Sequence, residues 1–278
     1  MRACRPPSPA SPFRLRYGSV LTFICRSSPI TVKVHTILGI RFFGGTAREA
    51  VDEISRNGGL LVAPAAPSMI NLCRDEDYRR ALLSSDLAIA DSGFMVLLWR
   101  LFAGERIPRI SGLEYVKRLL EHESVRQPGA ALWVVPTESS REKLLAFVQR
   151  LQIPAVEGDV YIAPKYGEPV ADEALLQIVR QRRPRHVVIA VGRGVQDKLG
   201  RYLLDRLDHR PAIHCIGAAL GFLTGDQARI PDWADKYFVG WFFRSLAQPK
   251  VFVPRFWSAR KLPWLIARYR DRLPPMVR

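Results

Sequence analysis

Short apolar segments recur along the chain, and each is followed within a few residues by a stretch patterned as a helix. The clearest are "LLVA" at 60–63, "LAIA" at 87–90, "ALWVV" at 131–135, "HVVIAVG" at 186–192 and "AIHCIG" at 212–217. Runs of four to seven mostly apolar residues read as strands buried on both faces, since a strand with one wet face alternates apolar and polar positions. The intervening helices carry their own signals. In "TAREAVDEISRNGG", Thr46 stands at the N-cap, Glu49 at the capping-box position and Gly58 at the stop. Further helices are predicted over about 113–122, 139–151, 172–182 and 196–207, with two short strands in "TVKVHTILGIRFF" and another near 156–162. Strand and helix in alternation imply an α/β fold: a mainly parallel, doubly wound sheet with helices on both faces. No internal repeat interrupts the pattern.

In such a sheet, ligands bind outside the carboxyl ends of the strands, which directs attention to "LAIADSGFMVLLW". Asp91 is its one charged residue, at the end of a predicted strand and ahead of a helix starting near Phe94. On position alone, an N-cap is the commoner use of such an Asp; the alternative is a carboxylate presented to a ligand. The apolar run beyond it is expected to pack back on the core. "VGRGVQDKLGRYL" at 191–203 reads as a strand end, a Gly-x-Gly turn and a helix N-terminus that offers N–H groups to a phosphate. It lacks the third glycine of a dinucleotide fingerprint, and a plain tight turn explains it equally well. "ERIPRISGLEY" places Arg106 and Arg109 in a loop before a helix, as a diphosphate clamp or as solvated charge.

Composition removes several classes. With 278 residues, 48% hydrophobic, the chain can bury a sizeable core. Asp91, Arg100 and Glu105 interrupt its most apolar region, so no spanning helix is expected. The four cysteines lack paired spacing and read as reduced thiols of a cytoplasmic protein, and the five histidines stand apart, so neither a metal nor a cofactor is expected. The formal charge of +16 calls for an anionic partner. Between Lys236 and Arg278, ten Lys or Arg face a single acid, Asp271, interleaved with Trp241, Phe242, Phe243, Phe256, Trp257 and Trp264. Such a mixture suits a lipid headgroup layer, although an ordinary solvated basic face has the same composition. Nucleic acid is not expected, because the cations sit in an aromatic tail and not on a recognisable reading motif. Residues 1–30 contain no acid and are rich in Arg, Pro and Ser, which reads as a disordered or mis-assigned extension.

Taken in order, "ADSG", "RISGLE", "GRGVQD", "GAALGFLTG", "RIPDWADKYFVGWFFR" and "QPK" resemble the segments of the WecG/TagA/CpsF glycosyltransferase family, from about Val32 to Lys250. The resemblance implies inverting transfer of a sugar, typically N-acetylmannosamine, from a UDP-sugar donor to a polyprenyl-diphosphate-linked acceptor, without a required metal. The setting implied is cell-envelope or exopolysaccharide synthesis, peripheral on the cytoplasmic face of the membrane. Residue by residue, the family's proposed base maps onto Asp91. Gly192, Gly194, Gln196, Asp197 and Gly217 fall in segments near the donor, while Arg109, Arg244 and Lys250 fall toward the acceptor diphosphate.

Several positions depart from the family pattern. Ala63, Pro64 and Ala65 stand where the family has Thr-Pro-Asn, Gly221 where it often has Asp, Gly194 and Val195 in place of Pro-Lys, Asp197 in place of Glu, and Ser92 in place of Gly. Loss of polar side chains leaves open a relative that binds a nucleotide-sugar or lipid diphosphate without turnover. The expected division is an extension over 1–30, an α/β domain over 31–235 and a basic, helical, membrane-associating appendage over 236–278. Exposed apolar surface would also admit a homo-oligomer.

Overall fold

A computed structural model describes residues 16–17, 20–23, 30–192, 194–217, 219–226, 257 and 259–277. Strands β1 (Arg16–Tyr17), β2 (Val20–Phe23), β3 (Ile30–Ile37) and β4 (Ile40–Phe43) come first, and β5 (Gly59–Val62) follows helix α1 (Ala47–Asn57). Helices α2 (Ala66–Met69) and α3 (Glu76–Leu83) precede β6 (Leu87–Ala88), and α4 (Gly93–Ala103) and α5 (Gly112–Glu121) precede β7 (Ala131–Val135). Then come α6 (Glu138–Arg150), β8 (Val160–Ile162), α7 (Glu173–Arg182), β9 (His186–Ile189), α8 (Val195–Arg206), β10 (Ala212–Cys215) and α9 (Ala219–Thr224). The last described helix, here α10, is Leu262–Tyr269.

Among the described residues the strands form one sheet in the order β1-β2-β3-β4-β6-β5-β10-β9-β7-β8. From β4 to β8 every pairing is parallel, whereas β1, β2 and β3 add antiparallel at the β4 edge. The alternation of side chains along each strand feeds two cores. Leu60, Val62, Leu132, Val134, Val187, Ile189 and Ile213 face the layer of α3, α4, α7, α8 and α10. Leu61, Trp133, Val188 and Ala212 face α1, α5, α6 and α9. The sheet is therefore doubly wound, as the strand-helix alternation predicts, and burial on both sides explains why its strands are nearly all apolar.

Local chemistry explains the element boundaries. Thr46 caps α1 in a complete capping box with Glu49, and Gly58 ends the helix at φ +65. Asp75, Ser111, Thr137 and Asp172 each cap the helix that follows by accepting a backbone N–H.

The structure also corrects the sequence reading in places. β6 spans two residues and stops short of Asp91: Ile89 N–H still reaches Val62 O at 2.9 Å, but Asp91 N–H turns back to Ile89 O at 3.0 Å, which bends the chain out of the sheet. The strand expected from 156 begins at Val160, after a 3-10 turn over Glu157–Asp159. Arg16–Tyr17 and Val20–Phe23, within the stretch read as a disordered or mis-assigned extension, pair as strands. α4 buries Met95, Leu98 and Trp99 but leaves Phe94, Leu97 and Leu101 exposed, so only part of that apolar run packs back on the core.

Much of the expected appendage, including the boundary at 235–236, lies outside the described residues. Its described end packs on the α/β unit. Leu262, Leu265 and Ile266 of α10 join the core beside Met95, Leu98 and Trp99. Leu38 and Gly39 N–H donate to Arg270 O and Asp271 O at 2.7 and 2.9 Å, and Val277 N–H donates to Cys73 O at 2.7 Å.

Candidate active site

Parallel strands end at a common edge, so the loops after β5, β6, β9 and β10 converge there. Asp91 lies three residues past β6 and is partly exposed. It is not the cap of the helix that follows. Ser92 takes that role, its Oγ accepting Met95 N–H at 3.3 Å. The carboxylate is held instead by a distant element: Gly112 N–H, at the start of α5, donates to Asp91 Oδ1 at 2.8 Å. A helix N-terminus presents unpaired N–H groups and a positive dipole end, which favours a carboxylate in that place. Arg109 Nε donates to the Asp91 main-chain carbonyl at 2.9 Å, so the arginine and the carboxylate share one loop junction. Gly112 is close-packed here. A Cβ on it would stand 3.3 Å from Ala219 Cβ and 3.7 Å from Asp91 Oδ1.

The glycine-containing loop after β9 forms the second half of the edge. Gln196 Oε1 accepts Gly192 N–H at 3.2 Å and so closes the loop over the first turn of α8. Gly194 is the α8 N-cap at φ +75, and a Cβ on it would lie 3.1 Å from the Tyr78 ring, so the position demands glycine for both backbone and space. Gly217, just past β10, lies against the Gln196 amide: a Cβ there would be 3.4 Å from Nε2. Gly192, Gly194, Gln196 and Gly217 thus belong to one cluster. Ile216 O, 3.8 Å from the position a Gly112 Cβ would take, connects that cluster to Asp91.

Asp197 differs from its neighbours. It sits in the first turn of α8 but is only 3% exposed, and its Oδ1 has no hydrogen-bond partner among the described residues. Burial pushes its carboxyl up to about 7, opposed by the bond to its own backbone N–H and by Lys198. Burial likewise raises the nearby Tyr78 phenol well above 10, with the Asp197 charge adding to the effect. Lys198 reaches outward to Asp75 Oδ2 at 2.9 Å and to Glu168, tying α8 to α3 and to the loop before α7.

Ala63, Pro64 and Ala65 follow β5 at the same edge and lead into α2, whose N-cap Ala65 supplies no side-chain bond. Arg244 and Lys250 lie outside the described residues.

Beneath α5 the structure brings together three histidines that stand apart in the sequence. Tyr115 Oη is 2.7 Å from His214 Nδ1, His214 Nε2 is 3.0 Å from His186 Nδ1, and His186 Nε2 is 2.7 Å from Ser124 Oγ. Ser124 Oγ in turn lies 2.6 Å from His122 Nδ1, and His122 Nε2 lies 3.4 Å from Asp52. Ser124 N–H also donates to His122 Nδ1, which makes that nitrogen an acceptor, so the protons run from Tyr115 toward Asp52. Burial holds His186 down to about 3 and His214 well below its usual range, so both are neutral links. The chain fixes the helix whose N-terminus holds Asp91. Among the described residues no group of three or more His, Cys, Asp or Glu could hold a metal ion, and Cys73 and Cys215 are buried free thiols.

The structure brings Asp91, Arg109 and the 192–197 loop, singled out in the sequence, to this one edge; Gly112 as the carboxylate's donor, Ser92 as the cap and Tyr78 beneath Gly194 emerge from the structure. Ser92 and Ser111 carried a legible cap signal. The contacts of Gly112 and Tyr78 span 21 and more residues and have none.

No curated protein matches the chain. The family model described as "Glycosyl transferase WecG/TagA/CpsF family" matches residues 35–275, which runs from the end of β3 through α10 and takes in the whole of this edge.

Proposed function

The chain belongs to the WecG/TagA/CpsF glycosyl transferase family, and from that premise we propose that it moves a sugar of the N-acetylmannosamine type from a UDP donor to a polyprenyl-diphosphate-linked acceptor. A nucleotide-sugar donor and a lipid-linked acceptor are what the family suggests. The observation that carries the reading is the Gly112–Asp91 hydrogen bond. A carboxylate held at a helix N-terminus, on the ligand edge of a parallel sheet and relieved of capping duty by Ser92, has the placement of a general base.

In this mechanism one oxygen of Asp91 stays on Gly112 and the other takes the proton of the acceptor hydroxyl. The freed oxygen attacks the anomeric carbon, and the bond to the donor's β-phosphate breaks from the opposite face. UDP leaves with the electron pair, and the configuration inverts. The α8 N-terminus behind Gly192 and Gly194 offers backbone N–H groups to the donor diphosphate. Arg109 stands beside Asp91 through its bond to the Asp91 carbonyl, and is assigned to the acceptor diphosphate, an anion that a guanidinium pairs with well. Arg244 and Lys250 are assigned the same task. The protein would act at the inner membrane face as a peripheral enzyme; no helix among the described residues is long and apolar enough to cross a membrane.

The test is calorimetric titration of the whole chain with UDP and UDP-N-acetylmannosamine, followed by transfer assays on lipid-diphosphate acceptors, for the wild type and Asp91→Asn. Nucleotide binding in both forms with transfer in the wild type alone is the expected result. Full transfer by Asp91→Asn would remove Asp91 from the mechanism. Ala63 and Ala65 support a second reading, a relative that binds the nucleotide-sugar or lipid diphosphate without turnover, because neither side chain donates a hydrogen bond at this edge. A bound UDP-sugar with no transfer to any acceptor would favour it.

A further inference from the structure

We infer that α4 docks on an anionic phospholipid bilayer through its outer face and sets Asp91 at the depth of the lipid headgroups. This rests on the reading of the chain as a transferase to a lipid-linked acceptor, and names the membrane-contacting element of that same site.

α4 reads GFMVLLWRLFA, and its inner side is satisfied by Met95, Leu98 and Trp99 in the core. Phe94, Leu97 and Leu101 are 42%, 46% and 73% exposed. Spaced three and four residues apart, they share one face, since an α-helix turns every 3.6 residues. Isolated exposed apolar residues are ordinary, but a stripe of three large ones along a single helix marks a contact surface.

Charge identifies the occupant. α4 carries no acid, and exposed Arg100 borders its apolar stripe. α10, packed against α4, also lacks acids, and it exposes Trp264 at 62% with Arg268 one turn on. Exposed Trp257 precedes α10, with the Arg260 guanidinium 4.5 Å over its ring. Apolar side chains entering the acyl boundary, tryptophans at the interface and arginines among lipid phosphates make up an interfacial helix surface. A net charge of +16 adds long-range attraction to an anionic leaflet.

The connection to chemistry is short. Asp91 precedes α4 by two residues, so a helix lying in the interface holds the carboxylate where a lipid-anchored diphosphate emerges. A water-soluble acceptor would reach the same carboxylate without the membrane.

The test uses the full chain, with Leu97→Gln and Leu101→Gln combined. Both residues are exposed, so the variant is expected to keep the wild-type circular dichroism and melting curve. Cosedimentation is measured with vesicles of phosphatidylcholine alone and of phosphatidylcholine with phosphatidylglycerol. The wild type is expected on the anionic vesicles only, and the variant to bind them about tenfold more weakly or worse, with unchanged transfer to a short-chain, water-soluble acceptor. Equal vesicle binding by the two forms would overturn the inference, as it would show other segments to suffice. A wild type that dimerises, ignores vesicles and becomes monomeric in the variant would overturn it in favour of a second copy on α4. Absence of transfer to the soluble acceptor by the wild type would instead count against the transferase reading, whatever the vesicles show.

Discussion

Gly112 and Asp91, 21 residues apart, meet in a single hydrogen bond of 2.8 Å from the first residue of α5 to the carboxylate past β6. The bond leaves the Asp91 backbone to Arg109 and the capping of α4 to Ser92, so among the described residues the carboxylate carries one structural duty, its bond to Gly112. Asp91→Asn preserves the acceptor oxygen for Gly112 and removes the proposed base. It should lower kcat by roughly 100- to 10,000-fold while UDP-sugar affinity and the melting temperature stay near wild type. Parallel transfer kinetics, calorimetry and thermal melts check all three.

Arg109→Lys keeps the charge but cannot reproduce the Nε bond to the Asp91 carbonyl, because an ammonium is not a planar fork. The expected outcome is a fall of about tenfold or more in kcat/KM for the lipid-diphosphate acceptor, with donor binding unaltered. Equal losses for acceptors with and without the diphosphate would place the role of Arg109 in positioning Asp91.

Gly194→Ala meets two obstacles, a φ of +75 and the Tyr78 ring at 3.1 Å. Left-handed backbone at a non-glycine costs about 1–2 kcal/mol, so urea unfolding should show a loss at least that large. The α8 N-terminus would shift as well, and UDP binding should weaken.

Two buried groups give the stability of the protein opposing dependences on pH. Asp197 keeps its proton up to about 7 in the folded state, whereas the unfolded carboxyl releases it near 3.8. The folded state therefore binds more protons between those values, and this group's contribution declines as pH rises through them. His186, held down to about 3 by burial, acts in the other direction. The unfolded imidazole binds a proton below about 6.5 that the folded one refuses, so stability falls on acidification. Asp197→Asn should remove the first limb only, giving a higher melting temperature than wild type at pH 8, by an effect on the order of a few kcal/mol. The acid limb should remain. Melts from pH 4.5 to pH 8.5 distinguish the two.

The described end of the tail contributes to the core. Ile266 and Leu265 are 0% and 5% exposed, so Ile266→Ala should cost about 2–5 kcal/mol. Removal of residues 236–278 should destabilise the α/β unit itself, which a urea midpoint would show apart from any effect on vesicle binding.

Much of this architecture can be read from order along the chain. The apolar runs around Leu61, Trp133, Val188 and Ile213, separated by capped helices, admit little besides a parallel sheet covered on both sides, because a strand without polar positions has no face to give to water. The ligand edge follows from that, and with it the neighbourhoods of Asp91 and Gly194. Strand ends were less legible: β6 stops at Ala88, where the bend that turns Asp91 outward takes over from the ladder.

What the sequence determined by itself was therefore the local and periodic part: the elements, their caps, the class of sheet and the segments that resemble a transferase. Tertiary structure alone decided which residues meet. It made Asp91 the guest of α5 and Ser92 the cap of α4, gathered His122, His186 and His214 into one chain, and set α10 in the core. It also divided α4 into a buried side and an exposed one. The physical reason is that propensity and capping act over three or four residues, whereas burial and a long-range hydrogen bond depend on which distant surfaces the sheet brings into contact. An apolar helix such as GFMVLLWRLFA contains nothing that tells a core neighbour from a membrane until its neighbours are in place.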